Sequence, residues 1–314
     1  MSKDKFPCML AQANKYLDRI KFPAIAQTKM DGMRANIVID NGEVKVFSRN
    51  GKPMQTFGRF EGLTDFDNVM LDGEFLVHPK KGFELELNKG EFLKYDGNTP
   101  MDRKTGNGII NKSIVSDKRR TTITEDEAEM FKIVLWDIVD IDGWKKGFHD
   151  ESYTKRFEKL QSMKSDPRFD LVESQTVQDL KSASKLFQKL LSQGQEGLIL
   201  KNHDMPWENK RSYHMVKMKE IKDIDLIVVG WVEGTGKYKG MLGALKCENK
   251  DGTIKVSVGS GFVDKDRVEL TPENTIGKIC AVKYNDSIED KTTHIKSLFL
   301  PIFQEIRLDK TKPD

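Results

Sequence analysis

Lys29-Met30-Asp31-Gly32-Met33-Arg34 decides how the rest of this 314-residue chain is read. It ends an apolar run, FPAIAQTK at 22–29, and leads into two alternating runs at 35–39 and 44–48 around Asp40-Asn41-Gly42. Asn-Gly between such runs predicts a hairpin. Lys29 therefore sits at the end of one strand, just before another begins. Gly32 lets the backbone turn tightly or approach a phosphate closely. A lysine there can be an amine nucleophile once desolvation, a metal ion or neighbouring cations depress its pKa. Four fixed residues at frequencies of about 6% occur by chance in roughly one chain in 250 of this length. A plain surface turn at Asp31-Gly32 is the alternative.

Further along, 69–77 reads as a strand, and 131–139 (FKIVLWDIV) as a buried strand rich in β-branched residues. Between them, 78–123 changes character, with five glycines at 82, 90, 97, 106 and 108, little periodicity, and basic groups at Lys112, Lys118, Arg119 and Arg120. This predicts a long surface insertion. Thr124-Glu125-Asp126-Glu127 resembles a capping box opening a short helix. Apolar spacing predicts helices over 152–164 and 176–193, the second ending at Gly194. Short strands are expected at 197–201 and 216–218. After Lys222-Asp223 come strands at 225–232, 242–247, 254–258, 278–284 and 295–301. Five short strands in about 80 residues fit a small barrel of the OB type. The expected class is α+β, with domains at 1–222 and 223–314.

Composition bounds the function. The chain carries 52 basic and 49 acidic residues, a net charge of +3, so any nucleic-acid surface must be a local patch. No apolar run is long enough to span a membrane, and the start MSKDKFPCML has no apolar signal core. Cys8, Cys247 and Cys280 lie far apart with no C-x-x-C pair, which speaks against a zinc finger or a disulfide framework. The expected setting is a reducing cytoplasm.

More chemistry-bearing features follow Lys29 in order. Ser48-Arg49-Asn50-Gly51 puts an arginine on a turn. Leu71-Asp72-Gly73-Glu74 sets two carboxylates on one face of a strand. Trp136-Asp137 ends an apolar strand with a flat ring, and Glu196 stands at the entrance of EGLILK, 196–201. Lys217 and Lys219 share one strand face while Val216 and Met218 take the other. Each has an ordinary reading taken singly: a solvated arginine, a core tryptophan, an exposed strand face. Jointly they supply a nucleophile, carboxylates, an aromatic platform and phosphate-binding cations, the parts that nucleotidyl transfer requires.

The ordered set KMDGMR, SRNG, LDGE, LWDIV, EGLILK and VKMK resembles the covalent nucleotidyltransferase superfamily, specifically the ATP-dependent DNA ligases, in the style of those of T-even bacteriophages. The resemblance covers nearly the whole chain. It implies an ATP-grasp-like ligase nucleotidyltransferase domain of antiparallel sheets and flanking helices, followed by an OB-fold barrel. With only about 20 residues before the lysine region, the helical DNA-binding domain of larger relatives is expected to be missing. The resemblance makes Lys29 the residue that attacks the α-phosphate of ATP. It makes Lys217 and Lys219 the lysines that contact that phosphate. Arg34 would contact the ribose, Arg49 a phosphate, and Glu74 the ribose hydroxyls, with Asp72 supporting it. Trp136 would stack on adenine, Gln27 would read the adenine edge, and Thr28 would border the nucleotide. Asp31, Glu74 and Glu196 would help hold Mg²⁺, or Mn²⁺ in its place.

Arg307-x-Asp309-Lys310 matches the OB-domain motif in which Arg307 and Lys310 would orient pyrophosphate, about a hinge near Lys222-Asp223. The implied partners are ATP and nicked duplex DNA, gripped in part by 78–123, with no membrane and a monomeric enzyme. The implied location is the cytoplasm, a host's if the source is viral. RNA end-joining and GTP-dependent capping, both within the superfamily, stay open as alternatives.

Overall fold

Asn41 and Gly42 form the expected turn, joining Met33–Asp40 to Glu43–Ser48 with Asp40 opposite Glu43. In the computed structural model, which describes residues 6–88, 90–115, 122–290 and 293–314, the hairpin edges a five-stranded sheet. Its order is Phe169–Leu171, Phe131–Asp140, Val69–Val77, Met33–Asp40, Glu43–Ser48. A second sheet runs Leu10–Gln12, Arg211–Lys219, Gly197–Lys201, Ala24–Thr28, Ser174–Val177. One edge pair in each sheet is parallel and the other pairs are antiparallel.

Period-two alternation explains how the second sheet serves two cores. Ala24, Ala26, Leu198, Leu200 and Val216 face the helix Leu180–Ser192, whose Ala183 and Leu190 are buried against them. Ile25 joins the other core with Ile37, Leu71, Phe75 and Leu135 of the first sheet. The helix starts later than 176 because Ser174–Val177 is an edge strand and the Asp179 carboxylate caps the helix, accepting from Ser182 N at 2.7 Å. The capping box at Thr124 forms and opens a helix of four residues, Glu125–Ala128.

The insertion at 78–123 is more structured than its composition predicts. It holds the hairpin Glu84–Asn88 with Glu91–Lys94, and the helix Arg103–Lys112 capped by Asp102. Met101, Ile109 and Ile110 are buried in the first core, so this segment is partly core rather than surface. Two helix glycines, at 106 and 108, hid that pattern in the sequence. Lys112 is ion-paired to Glu127 at 2.6 Å. Lys118, Arg119 and Arg120 lie outside the described residues.

The chain divides into two units, Met1–Lys219 and Glu220–Asp314. The second unit has an antiparallel sheet in the order Lys255–Val258, Leu242–Glu248, Lys222–Glu233, Ile279–Tyr284, Ile302–Arg307. It packs one core around Leu226, Leu245, Val258 and Phe303. The expected barrel is not closed among the described residues. Isolated bridges, Ser260 to Ile302 and Ile254 to Lys296, stand where a continuous ladder would close it. The run at 295–301 pairs instead with Asp286–Glu289 as a separate hairpin, through Lys296–Phe299, and Ile302–Arg307 is the fifth strand of the sheet.

Candidate active site

A cavity of about 620 Å³ in the first unit is lined by residues of both sheets. Strand Ala24–Thr28 delivers Lys29 to it, and Lys29 N donates to Gly197 O at 2.9 Å. Gly197 has φ +148°, and a Cβ there would lie 2.2 Å from Met218 O, so no side chain fits. The neighbouring Glu196 carboxylate accepts from Lys29 Nζ. Gly32 N donates to Glu74 Oε1 at 3.1 Å. A Cβ on Gly32 would lie 2.3 Å from Phe75 O, so the close approach made by this glycine is to the adjacent strand.

The first sheet presents Arg34, Asn36, Asp72 and Glu74 on one face, because Arg34 pairs with Glu74 and Asn36 with Asp72. The Arg34 guanidinium donates from Nε to Asp72 Oδ1 at 2.8 Å and from a terminal nitrogen to the other Asp72 oxygen. Its remaining terminal nitrogen donates to Met9 O at 2.6 Å. Asp72 is 2% exposed and also accepts from Asn36 Nδ2 at 3.0 Å. Two parallel bonds to one carboxylate fix the plane of the guanidinium. Trp136 is an extra residue: Asp72 faces Asp137 and Gly73 faces Leu135, which leaves Trp136 as a β-bulge. Its ring lines the cavity, with the Arg34 guanidinium 5.6 Å from its centroid.

The charges are arranged for an anion. Lys217 is held below the ordinary lysine range, first by burial and then by Lys219, Arg211, Lys29 and Arg49. Lys219 is lowered too, first by burial, with Glu196 opposing and Lys29 adding to the effect. Glu74 is pushed up to about 7, chiefly by burial, with Lys29 pulling it back. A bound anion would relieve the crowded cations.

Of the residues singled out in the sequence, Lys29, Glu74, Glu196 and Lys217 line the cavity. So do Gln27, Thr28, Arg34, Arg49 and Trp136. Lys219 ends the same strand as Lys217 and interacts with Glu196 and Lys29. Asp31 also lines the cavity, but its carboxylate pairs with Arg103 at 2.9 Å. Among the described residues no three His, Cys, Asp or Glu side chains converge as a metal cage, so Asp31, Glu74 and Glu196 do not form one. Arg307 and Lys310 belong to the second unit, where both pair with Asp225, at 3.2 and 2.6 Å. Arg307 also holds Asp309, and Lys310 holds Asp314.

Two further residues of the site escaped the sequence reading. Lys201, 3% exposed, lines the cavity, and its Nζ lies 3.0 Å from the Tyr153 hydroxyl. Burial pushes this lysine down to about 7, against Asp137 and Asp72 and with Arg156 and Arg34. The alternation Gly197, Ile199, Lys201 was a usable signal for it. Nothing in the sequence marked Tyr153, which opens the helix Tyr153–Gln161.

The family model described as ATP dependent DNA ligase domain matches residues 8–219. The chain belongs to the ATP-dependent DNA ligase family. A second model, described as DNA ligase OB-like domain, matches residues 233–307 of this ligase-family chain. The chain is 34% identical to the DNA ligase of Enterobacteria phage T4, over 93% of itself and 66% of the phage protein, so it spans just under two thirds of that relative. It is 27% identical to the DNA ligase of Methanopyrus kandleri, over 84% of itself and 46% of that protein. The solved structure named Pmar-Lig_Pre matches it with a TM-score of 0.74 at 24% identity, over 98% of this chain and 68% of that one. A structure from work on DNA binding with a minimal scaffold in Lig E DNA ligases matches with a TM-score of 0.70 at 19% identity, over 96% of this chain and 98% of that one. These two share the ligase fold of this chain.

Proposed function

We propose that this protein is an ATP-dependent DNA ligase that seals 5′-phosphate/3′-hydroxyl nicks in duplex DNA through a lysyl-AMP intermediate. The observation that carries the reading is the contact of Lys29 Nζ with Glu196 inside a cavity that Arg34, Arg49 and Lys217 also line. In the first step the Lys29 nitrogen forms an N–P bond to the α-phosphate of ATP, and the bond from that phosphorus to the pyrophosphate oxygen breaks. The Lys29 proton leaves as this happens, and Glu196 is in contact to take it. The AMP then passes to the DNA 5′-phosphate, freeing Lys29. Attack by the 3′-hydroxyl on that phosphate expels AMP and closes the strand. The cations neutralise phosphate charge and the pocket orients the reactants.

The donor set suits a Mg²⁺ ion that keeps most of its water, since such an ion takes one or two carboxylates plus substrate phosphate oxygens rather than a protein cage. Glu196 and Glu74 would hold it, and Asp31, engaged by Arg103, would act indirectly. When bound, the ion would neutralise charge on the phosphates. A monomer in the cytoplasm, a host's if the source is viral, is the proposed working form. Among the described residues no helix is long and apolar enough to cross a membrane.

The test is ATP-dependent closure of a singly nicked DNA duplex, with intact-mass detection of AMP on Lys29 and GTP and nicked RNA run in parallel. GMP on Lys29, sealing confined to RNA, or full sealing by Lys29→Ala would overturn the proposal.

A further inference from the structure

The floor of the cavity holds a hydrogen-bond network whose direction can be worked out. Gln27 is 2% exposed and lines the cavity, and its side-chain amide lies 2.7 Å from the Tyr153 hydroxyl. That hydroxyl has one proton to give. Burial pushes the phenol well above its ordinary pKa, so the proton stays on it. Trp136 O, which can only accept, lies 2.6 Å from the hydroxyl and takes the proton. The phenol oxygen must then accept from its other neighbours. Lys201 Nζ, at 3.0 Å, carries N–H bonds in either protonation state. Gln27 therefore turns its NH₂ toward Tyr153. The reversed amide would set two oxygens against each other with no hydrogen between them, at the cost of an unsatisfied buried group. Gln27 Oε1 is left to accept from whatever fills the cavity.

The position of Lys201 follows from the strands. Gln27 pairs with Ile199 and Ile25 with Lys201, so Gln27 and Lys201 are diagonal neighbours on one face. Both reach the phenol of Tyr153, which arrives from a helix 126 residues further along the chain than Gln27. Lys201 Nζ also lies 4.1 Å from the centroid of the Tyr153 ring.

We infer that Tyr153, Lys201 and the Trp136 carbonyl lock the Gln27 amide so that its Oε1 accepts from the 6-amino group of the purine, making Tyr153 and Lys201 positioning residues for base selection. The inference rests on the reading of the cavity as a purine nucleoside triphosphate site. A base without the amino group leaves Oε1 unpaired, which sets the penalty.

The test compares ATP with purine riboside 5′-triphosphate, which has hydrogen at position 6, as donors for the nucleotide adduct on Lys29, followed by intact mass as kcat/KM. The wild-type protein prefers ATP by roughly tenfold or more. Tyr153→Phe and Gln27→Met each bring the preference to within about threefold, and the double variant goes no lower, because both act on one bond. Should Tyr153→Phe fail to fold, Lys201→Met goes through the same cycle with Gln27→Met and the same non-additive result is expected. A folded Tyr153→Phe or Lys201→Met protein with the wild-type preference overturns the inference, as do effects that add. Absence of any adduct with ATP in the wild type would instead sink the ligase reading beneath it.

Discussion

Lys29 Nζ and Glu196 Oε2 are in hydrogen-bond contact although 167 residues separate them in the chain. The backbone brings the two residues together: Lys29 N is bonded to Gly197 O, so the two strand ends meet beside the amine proposed as the nucleophile. If Glu196 takes the lysine proton as the N–P bond forms, Glu196→Gln slows formation of the lysyl-AMP adduct by roughly 100-fold or more. Single-turnover mass spectrometry measures this, and a wild-type rate removes Glu196 from that role.

Asp72 is the partner that makes Arg34 tolerable in its place. Asp72→Asn leaves the guanidinium without its counter-charge in a largely buried position. The expected loss is about 3 kcal/mol of stability, with a raised KM for ATP. Urea unfolding followed by tryptophan fluorescence reads the first and initial rates the second. A change below about 1 kcal/mol would mean that water screens the pair as it does a surface bridge.

The pH dependence of stability has two limbs. Glu74 is held near 7, above its ordinary 4.5, first by burial. Between those values the folded chain keeps a proton that the unfolded chain has released, so stability falls as pH rises. Lys201 is held near 7, below its ordinary 10.5, first by burial. Between those values the unfolded chain keeps a proton that the folded chain lacks, so stability climbs as pH rises. Without nucleotide or divalent cation, stability therefore has a minimum near neutral pH, with an acid limb on the order of 3 kcal/mol and an alkaline limb on the order of 5 kcal/mol. Glu74→Gln abolishes the acid limb, and Lys201→Met cuts the alkaline one down to the part that Lys217 and Lys219, also held low, contribute. Urea midpoints across the range check it, and a wild-type profile that peaks at neutral pH contradicts both assignments.

Gly32 tests the backbone. Gly32→Ala places a methyl group 2.3 Å from Phe75 O, a contact that only a backbone shift relieves. The expected cost is about 3 kcal/mol, the upper end for overpacking, together with loss of adduct formation because Lys29 and Glu74 flank the shift. A melting temperature and activity unchanged by the substitution would show that the loop gives way freely.

How much of this was legible depends on whether the information was local. The hairpin at Asn41-Gly42, the capping box at Thr124 and the strand Val69–Val77 carry their signals within a few residues, and they formed as read. The helix Arg103–Lys112 did not show, because its glycines mask the buried pair Ile109 and Ile110. The open sheet of the second unit was equally hidden, since pairing of Ile302–Arg307 with Ile279–Tyr284 is a choice among distant partners. In the site, motif residues could be listed from the sequence. Their supports could not: Tyr153 reaches Gln27 and Trp136 O from a helix, and Arg103 reaches Asp31 from the insertion.

The bulge at Trp136 bears on how related chains are compared. Its strand carries one residue more than the neighbour it pairs with, and the side chains on either side of that surplus are out of step with a regular count. An alignment that slides a gap by one column here would equate an aromatic wall with a carboxylate. Chain length at this spot therefore shapes the pocket as much as residue identity does, and a designer transplanting the pocket would need to carry the surplus residue along with the ring.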